Sequence, residues 1–271
     1  MNIKIVWFGK HFGEEPIISG INGSGTIFFS GCNLHCQFCQ NWQISQDWVG
    51  NDYTVDNLAN IMIDLQKQNV HNINLVTPSI WIDQIKEAII IAKHNGLNIP
   101  IVYNTNAYDD INRLKTLNGL VDIYLPDFKY SDNNIAEKYS KIKDYVGIAK
   151  TCILEMIHQQ PQNIIENDLL KKGVIIRHLI LPSNIQNTKD CIQTIHSFSN
   201  NVILSLMTQY NPMYKAINFP EINRSLNMPE YNDIMDYLKV FEFEEIFYQP
   251  LEANAKDIFN PDFSKENPFN Y

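Results

Sequence analysis

Short apolar segments alternate with amphipathic segments along most of the chain, and this alternation restricts the possible folds more than any other feature. Six apolar segments have the length of buried strands; they cover residues 25–31, 73–76, 99–104, 121–128, 174–182 and 201–207. Helical patterns occur at 54–69, 80–94, 109–117, 188–199 and 230–240, and a broken helical stretch ends near residue 158. Apolar strands separated by amphipathic helices are typical of parallel βαβ units. The chain is therefore predicted to be an α/β protein.

The number of strands distinguishes between two parallel architectures. A complete eight-stranded barrel needs about 250 residues, and the part of this 271-residue chain between its terminal extensions is shorter. Six strands therefore favour a partial (β/α)6 barrel of the TIM type. An open doubly wound sheet is the alternative, although no G-x-G-x-x-G motif follows the first strand. We expect a single domain over 1–271, with a lead-in at 1–24 and a C-terminal extension at about 243–271.

Charge and N-terminal composition argue against several classes of protein. The chain has 21 basic (Lys and Arg) and 30 acidic (Asp and Glu) residues, for a formal net charge of −9. Such a chain has no overall attraction for a nucleic acid backbone or an anionic membrane surface. The first residues lack the apolar stretch and cleavage site of a signal peptide, and no window of eighteen residues is apolar throughout. We therefore expect a cytoplasmic protein, in which clustered cysteines indicate metal binding or catalysis more often than disulfides.

Three of the five cysteines lie close together, directly after the first predicted strand. Cys32, Cys36 and Cys39 have the spacing C-x-x-x-C-x-x-C in the segment GCNLHCQFCQNW. Three thiolates at this spacing can bind one soft metal centre. A structural zinc site would need a fourth ligand, for which His35 is awkwardly placed, and an electron-transfer cluster normally has four cysteines; a disulfide with a free thiol is a further alternative. Three ligands leave an open coordination position, which is typical of a catalytic metal centre.

The segment GCNLHCQFCQN, with the aromatic Phe38 before its third cysteine, resembles the signature of the radical S-adenosylmethionine (SAM) superfamily. The resemblance implies that Cys32, Cys36 and Cys39 bind three irons of a 4Fe-4S cluster, while the amino and carboxylate groups of SAM chelate the fourth iron. It also implies that the reduced cluster cleaves SAM to methionine and a 5′-deoxyadenosyl radical, which abstracts a hydrogen atom from the substrate. The three cysteines would thus be catalytic through the cluster.

Longer segments are similar to pyruvate formate-lyase activating enzymes. SGINGSGTIFFSGCNLHCQFCQNW resembles the N-terminal segment of those enzymes, YNTNAYD at 103–109 resembles their D-T-N-G segment, PDFKY at 126–130 their D-x-K segment, and VIIRHLILPSN at 174–184 their I-R-x-x-x-x-P strand. The segments GSGTIFFSGCNL, NINLVTPS and LMTQYNP are similar to the activase-like branch often labelled PflX. These similarities imply hydrogen abstraction from a protein or peptide, as in the activation of a glycyl-radical enzyme, with flavodoxin or ferredoxin as the electron donor.

Two other functions remain open at this point. One is the modification of a small molecule or peptide without a glycyl-radical partner. The other is a non-catalytic iron–sulfur protein that serves in electron transfer or redox sensing.

Polar residues at the ends of the predicted strands are candidates for cofactor binding, because functional groups of such barrels collect there. Together with Phe38 and Asn41 of the cysteine loop, the candidates are Thr77, Ser79, Asn104, Thr105, Asp127, Lys129, Arg177 and Gln209. Asp127 and Lys129 lie two residues apart on a strand end, so their side chains should point the same way. The guanidinium of Arg177 could bind a carboxylate of cofactor or substrate through two hydrogen bonds, and a structural salt bridge is the alternative.

The chain departs from the activating enzymes at three of these positions. The segment VTPS lies where the activating enzymes have a glycine-rich turn that ends in an acidic residue and binds the methionyl amine of SAM. A hydroxyl of Thr77 or Ser79, or a backbone carbonyl, would have to bind that amine here. Asn104 replaces an aspartate that helps to hold a monovalent cation in the activating enzymes, and Gln209 lies where they tend to have a histidine. The remaining cysteines, Cys152 and Cys191, are expected to be small buried residues, and His11, His71, His94, His158, His178 and His196 are expected to be structural or exposed.

Overall fold

The computed structural model describes residues 2–199, 201–251 and 261–269. Its strands are β1 (Ile3–His11), β2 (Ser24–Phe29), β3 (Asn51–Tyr53), β4 (Ile73–Val76), β5 (Ile101–Thr105), β6 (Ile123–Pro126), β7 (Ile164–Glu166), β8 (Leu169–Leu179), β9 (Ile203–Met207) and β10 (Glu245–Tyr248). The helices are α1 (Pro16–Ser19), α2 (Trp42–Ser45), α3 (Val55–Lys67), α4 (Ile82–His94), α5 (Ile111–Lys115), α6 (Asn133–Ser140), α7 (Tyr145–Gln159), α8 (Ile185–Phe198) and α9 (Met228–Leu238). None of the described helices has an apolar stretch long enough to cross a bilayer.

Seven of the strands form a continuous parallel sheet in the order β2, β4, β5, β6, β8, β9, β10. Strand β1 extends this sheet by antiparallel pairing with β2, and β3 pairs antiparallel with β1 at the edge. Within the described residues the two edges of the sheet, β3 and β10, do not pair with each other, so the sheet is open. This arrangement confirms the predicted α/β class and is that of a partial TIM barrel.

The six predicted strands are all present, and the structure adds strands within both predicted extensions. β1 lies within the lead-in; its residues alternate between buried and more exposed positions, as in a strand with one covered face, rather than forming the continuous apolar run of a parallel strand. β10 lies within the C-terminal extension and contributes a seventh parallel strand, which has no fully buried residue. The parts of that extension at 252–260 and 270–271 lie outside the described residues.

The two faces of the sheet have separate cores. Helices cover the outer face, and α3 begins with a reciprocal capping box between Thr54 and Asn57. On the inner face, a compact apolar cluster is formed by Ile17, Ile18, Val102, Ile123, Leu125, Leu170, Ile175 and Ile203. This inner cluster includes both buried isoleucines of the short helix α1. It packs the concave side below the carboxyl ends of the strands.

The segment 261–269 packs against the antiparallel side of the sheet. Phe263 and Phe269 form an aromatic cluster with Phe28 of β2 and Trp7 of β1, with ring centroids 5.1 to 6.2 Å apart between contacting pairs. Gln43 of α2 fixes the segment through its side chain, which accepts a hydrogen bond from the backbone N–H of Phe263 at 3.0 Å. A chain segment near the C-terminus thus covers the side that an open sheet leaves exposed.

Candidate active site

A cavity of about 560 Å³ lies at the carboxyl ends of the parallel strands. Its volume falls in the range of ordinary ligand and cofactor sites. Both the cysteine loop and the strand ends contribute to the wall, which includes Cys32, Cys36, Phe38, Cys39, Asn41, Thr77, Asn104, Thr105, Asp127, Lys129, Arg177 and Gln209. The structure therefore brings together all of the predicted site residues except Ser79.

The cysteine loop follows β2 and is held in place by its backbone. Gly31 has a φ of 81°, and a Cβ atom there would lie 2.7 Å from the Trp48 ring and 2.8 Å from Ile80, so the turn requires glycine. Further along, the N–H of His35 donates to the carbonyl of Ser140 at 3.1 Å, and the N–H of Gln37 donates to that of Tyr139 at 2.7 Å. The loop is thus fixed against the C-terminal end of α6.

Each of the three thiols has a hydrogen-bonding neighbour. Cys32 Sγ accepts from the N–H of Leu34 and from Asn106 Nδ2, both at 3.4 Å. Cys36 Sγ lies 3.0 Å from Ser140 Oγ, and Cys39 Sγ lies 3.3 Å from Ser45 Oγ. Hydrogen bonds of this kind stabilise negative charge on sulfur.

Burial keeps these thiols protonated in the absence of a metal. Together with the neighbouring thiol of Cys36, burial raises the pKa of Cys32 to about 12 and that of Cys39 to about 11. Burial also raises the pKa of Cys36, although the Lys129 ammonium opposes that shift. Because metals bind thiolates, a metal centre bound by these three sulfurs would release protons on binding.

The donor set fits a cluster better than a single ion. Within the described ranges, no three His, Cys, Asp or Glu side chains converge closely enough to hold one metal ion. Three thiols that face one cavity and influence each other's pKa are instead suited to an iron–sulfur cluster, in which each thiolate binds a different iron. The nearby ammonium of Lys129 would offset part of the negative charge of such a centre.

Asp127 and Lys129 form a half-buried ion pair beside the cysteines, as expected from their spacing. Lys129 Nζ lies 2.5 Å from Asp127 Oδ2, and both side chains line the cavity. Burial alone would lower the pKa of Lys129, but Asp127 and the thiol of Cys36 raise it above its ordinary value. The Tyr145 hydroxyl supports the pair: it lies 2.8 Å from the carbonyl of Asp127 and accepts from the N–H of Lys129 at 3.0 Å.

Arg177 is bound by two carboxylates of the protein itself. Its Nε donates to Glu15 Oε1 at 2.8 Å, its Nη2 donates to Glu15 Oε2 at 2.6 Å, and Nη2 also contacts Glu14 Oε2. Burial would raise the pKa of Glu15, but Arg177 and Ser205 hold it below its ordinary value. The guanidinium of Arg177 thus forms a structural salt bridge, the alternative to its binding a carboxylate of cofactor or substrate.

Ser79 lies behind the wall of the cavity. Its hydroxyl is 3.0 Å from Thr105 Oγ1, which in turn donates to Asp109 Oδ2 at 2.8 Å. The serine is buried and supports Thr105, and its hydroxyl is already engaged. Thr77 does line the cavity, and its φ of 61° is unusual for a β-branched residue at the end of a strand.

Many lining residues were not predicted as site residues from the sequence; they include His11, Glu14, Glu15, Gln249 and Phe269. His11, expected to be structural or exposed, packs against Phe269 in a tilted arrangement, with ring centroids 4.4 Å apart. The sequence offered a signal for two of these residues, the adjacent acidic pair Glu14 and Glu15, because an arginine on an inner strand needs acidic partners. His178 is buried and hydrogen-bonded to the carbonyl of Phe128 and to Thr188, in keeping with a structural role.

Comparison with known proteins agrees with the resemblance noted in the sequence. A profile described as Radical SAM superfamily matches residues 26–155, which include the three cysteines. The uncharacterized protein MJ0674 of Methanocaldococcus jannaschii is 34% identical over 253 residues, covering 88% of this chain and 67% of that protein.

Solved structures show the same fold at low sequence identity. Streptococcus suis SuiB bound to S-adenosylmethionine gives a TM-score of 0.58 at 10% identity over 84% of this chain, and SuiB bound to the precursor peptide SuiA gives 0.57 over 83%. The matches cover 51% and 48% of the two SuiB chains, so this chain spans about half the length of SuiB. Native anSMEcpe with bound AdoMet gives 0.52 at 12% identity, over 80% of this chain and 61% of that one. The chain belongs to the radical S-adenosylmethionine superfamily, whose enzymes use a 4Fe-4S cluster and S-adenosylmethionine.

Proposed function

We propose that Cys32, Cys36 and Cys39 bind the 4Fe-4S cluster of this enzyme and that its radical chemistry abstracts a hydrogen atom from a peptide or protein. The observation that carries the proposal is that these three thiols face one cavity, whereas Cys152 and Cys191 are buried in α7 and α8 and do not line it. Three protein ligands leave one iron for SAM. When bound and reduced, the cluster and SAM supply a 5′-deoxyadenosyl radical that takes the hydrogen atom.

The rest of the cavity wall offers hydrogen bonds and packing to the cofactor. An ammonium has three donors, and only one of those of Lys129 is needed for Asp127, so others can reach a carboxylate or hydroxyl of SAM. Thr77 would offer its hydroxyl or carbonyl to the methionyl amine. We assign further cofactor contacts to Phe38, Asn41, Asn104, Thr105 and Gln209, all of which line the cavity.

A peptide or protein substrate is supported by two likenesses. The sequence resembles glycyl-radical activating enzymes, and SuiB, which has the same fold, binds a precursor peptide. A flavodoxin or ferredoxin is the proposed electron donor, because the cluster must be reduced before it can act. We further propose that the described chain acts as a single domain.

A second candidate is the modification of a small molecule, or of a peptide without a glycyl-radical partner. It is favoured by the two segments that cover the open side of the sheet. His11 and Glu14 come from one of them and Phe269 from the other, and all three line the cavity. A folded loop of a partner would have to displace these residues, whereas a small or extended substrate would not.

Anaerobic reconstitution followed by reduction in the presence of SAM tests the proposal. The wild-type protein should release 5′-deoxyadenosine, and Cys36→Ala should lose both the full iron content and this product. Cys191→Ala is the matched control, because it removes a buried thiol outside the cavity. The proposal is overturned if an intact, reduced cluster yields no 5′-deoxyadenosine, or if Cys36→Ala still cleaves SAM.

A further inference from the structure

The Ser140 hydroxyl lies between a cysteine of the site and a tyrosine that the proposed function does not use. Ser140 Oγ is 3.0 Å from Cys36 Sγ and 2.6 Å from the hydroxyl oxygen of Tyr130. Among the residues that the structure describes, the Tyr130 hydroxyl has no hydrogen-bond partner other than Ser140. Tyr130, Ser140 and Cys36 therefore form a continuous row of hydrogen-bonding groups, the hydroxyl relay, which ends at the sulfur.

The backbone fixes the positions of the groups in the hydroxyl relay. Ser140 is the last residue of α6, and its carbonyl accepts from the N–H of His35 at 3.1 Å. The carbonyl that precedes it in the helix accepts from the N–H of Gln37 at 2.7 Å. These two hydrogen bonds hold the helix end on both sides of Cys36. The tyrosine ring is held by edge-to-face packing on Tyr145, with ring centroids 5.3 Å apart.

Burial separates this hydroxyl relay from solvent. Ser140 and Tyr130 are both 0% exposed. The corresponding serine at Cys39 is different: Ser45 Oγ lies 3.3 Å from the sulfur and accepts from Gln46 Nε2 at 3.2 Å, but the glutamine is only half-buried, so water can replace it. Buried hydroxyls without access to water depend on each other for hydrogen bonds. The state of one therefore determines what the next one does.

The number of protons in the hydroxyl relay sets its direction. Each hydroxyl has one proton and donates once, while its oxygen accepts. A sulfur that binds a metal has lost its proton and only accepts. When Cys36 is a metal ligand, Ser140 must donate to the sulfur, and Tyr130 must then donate to Ser140 Oγ. With a protonated thiol, the same three groups can be ordered in either direction.

We infer that Tyr130 is a positioning residue that directs the Ser140 hydroxyl proton to the Cys36 sulfur and thereby helps to set the reduction potential of the cluster. This inference rests on the proposed function, in which Cys36 is a cluster ligand. A hydroxyl that accepts a hydrogen bond is polarised and becomes a stronger donor itself. Reduction places more negative charge on the sulfurs, so a stronger donor makes the potential less negative.

A redox titration of the reconstituted protein, followed by electron paramagnetic resonance, measures this contribution. Ser140→Ala removes the donor and should lower the equilibrium constant of one-electron reduction about tenfold, which is about 59 mV toward more negative potential. Tyr130→Phe keeps the ring and removes only the polarising hydroxyl, so we expect about a threefold change in the same direction. In the Ser140→Ala background, Tyr130→Phe should cause no further change, because its effect passes through the serine.

The direction of the hydroxyl relay is tested by incorporating 3-fluorotyrosine at position 130. Its phenol is more acidic than that of tyrosine, so it donates more strongly and accepts more weakly, and the potential should become less negative than that of the wild-type protein. Tyr124→Phe is the matched control and should not move the potential, because this buried tyrosine bonds to Gln159 and does not line the cavity. Circular dichroism and iron content confirm that each variant is folded and loaded.

Three results would overturn the inference: a potential in Tyr130→Phe equal to that of the wild-type protein, a shift that persists in full without Ser140, or a more negative potential with 3-fluorotyrosine. A merely structural role would lower the stability of Tyr130→Phe and leave the potential in place. If Tyr130→Phe does not load, the fluorinated protein, which keeps the hydroxyl, decides. Failure of the proposed function looks different: 5′-deoxyadenosine is absent, although the cluster is intact and its potential still differs between variants.

Discussion

The cysteine loop at 32–41 and the acidic segment at 11–16 line the same cavity, but they gain their roles in different ways. The loop brings its three thiols together through local spacing and a glycine turn, within ten residues of sequence. The acidic segment depends on Arg177, which is 163 residues away from Glu14. One cavity thus combines a cysteine motif that can be recognised from local sequence with carboxylates whose partner is identified only in the folded structure.

The largest expected effect on stability comes from removing Arg177, the cation that pairs with Glu14 and Glu15. Arg177→Met leaves two buried carboxylates without their cation and should lower the free energy of unfolding by about 3–5 kcal/mol. Arg113→Met is the matched control, since Arg113 pairs with Asp83 at the surface and its loss should cost less than about 1 kcal/mol. Equal losses in urea denaturation would show that the buried pair has no special role.

In Arg177→Met, the contribution of Glu15 to the free energy of unfolding should depend on pH in the opposite sense. In the wild-type protein the pKa of Glu15 is below its ordinary value of 4.5, so its stabilising contribution is present above that pH and is lost as the pH falls. Without Arg177, burial raises this pKa, so protonation restores stability as the pH falls from 7 toward 5. Unfolding measured at both pH values should show the deficit of Arg177→Met shrinking in acid, and a constant deficit would contradict this account.

The ion pair beside the cysteines gives a somewhat smaller effect, because only one carboxylate is involved. Lys129→Met should destabilise the cluster-free protein by about 2 kcal/mol, because it leaves the half-buried Asp127 carboxylate unpaired. Adding Asp127→Asn should restore part of the loss, since the uncompensated charge is then gone. A double variant as unstable as the sum of its parts would show that the two residues do not interact.

The segment 261–269 should have a smaller influence on global stability. Phe269→Ala removes a ring that contacts Trp7, His11 and Phe28, but a segment near the chain end can detach locally, so we expect a loss of about 1–2 kcal/mol. Hydrogen exchange in residues 261–269 should rise sharply. Phe8→Ala, on the exposed side of β1, is the control, and equal exchange in both variants would count against the covering role.

The smallest effect is expected at a hydrogen bond to sulfur. Asn106→Ala removes a donor 3.4 Å from Cys32 Sγ and should change stability by only about 1 kcal/mol. In the loaded protein it should make the cluster's reduction potential more negative, because that donor stabilises the extra electron. Asn112→Ala, at an exposed position on α5, should not move the potential in a redox titration.

The sequence predicted six of the seven parallel strands, because most of their residues are buried and apolar. It did not predict β1 and β10. β1 has one covered face, and β10 lies at the sheet edge, where its partly exposed residues lack the continuous apolar pattern. Within the site, the cysteine motif and the pair of Asp127 and Lys129 could be predicted because their spacing is local.

The partners of Arg177 and the position of Ser79 could not be predicted in the same way. Arg177 on an inner strand indicated a carboxylate, but a single sequence does not tell whether that carboxylate belongs to a ligand or to Glu14 and Glu15. Ser79 follows β4, which ends at Val76, but the short helical turn at Ser79–Trp81 directs its hydroxyl to Thr105 rather than to the cavity. Such outcomes depend on packing between distant segments.

In the proposed enzyme, Cys32, Cys36 and Cys39 bind three irons of a 4Fe-4S cluster, and the fourth iron is open to SAM. Electron–nuclear double resonance on the reduced, reconstituted protein with SAM labelled with ¹⁵N in its amino group tests this most directly. We expect a ¹⁵N hyperfine coupling to the cluster, which is absent when unlabelled SAM is used. A reduced 4Fe-4S cluster whose spectrum does not change on addition of SAM would contradict it.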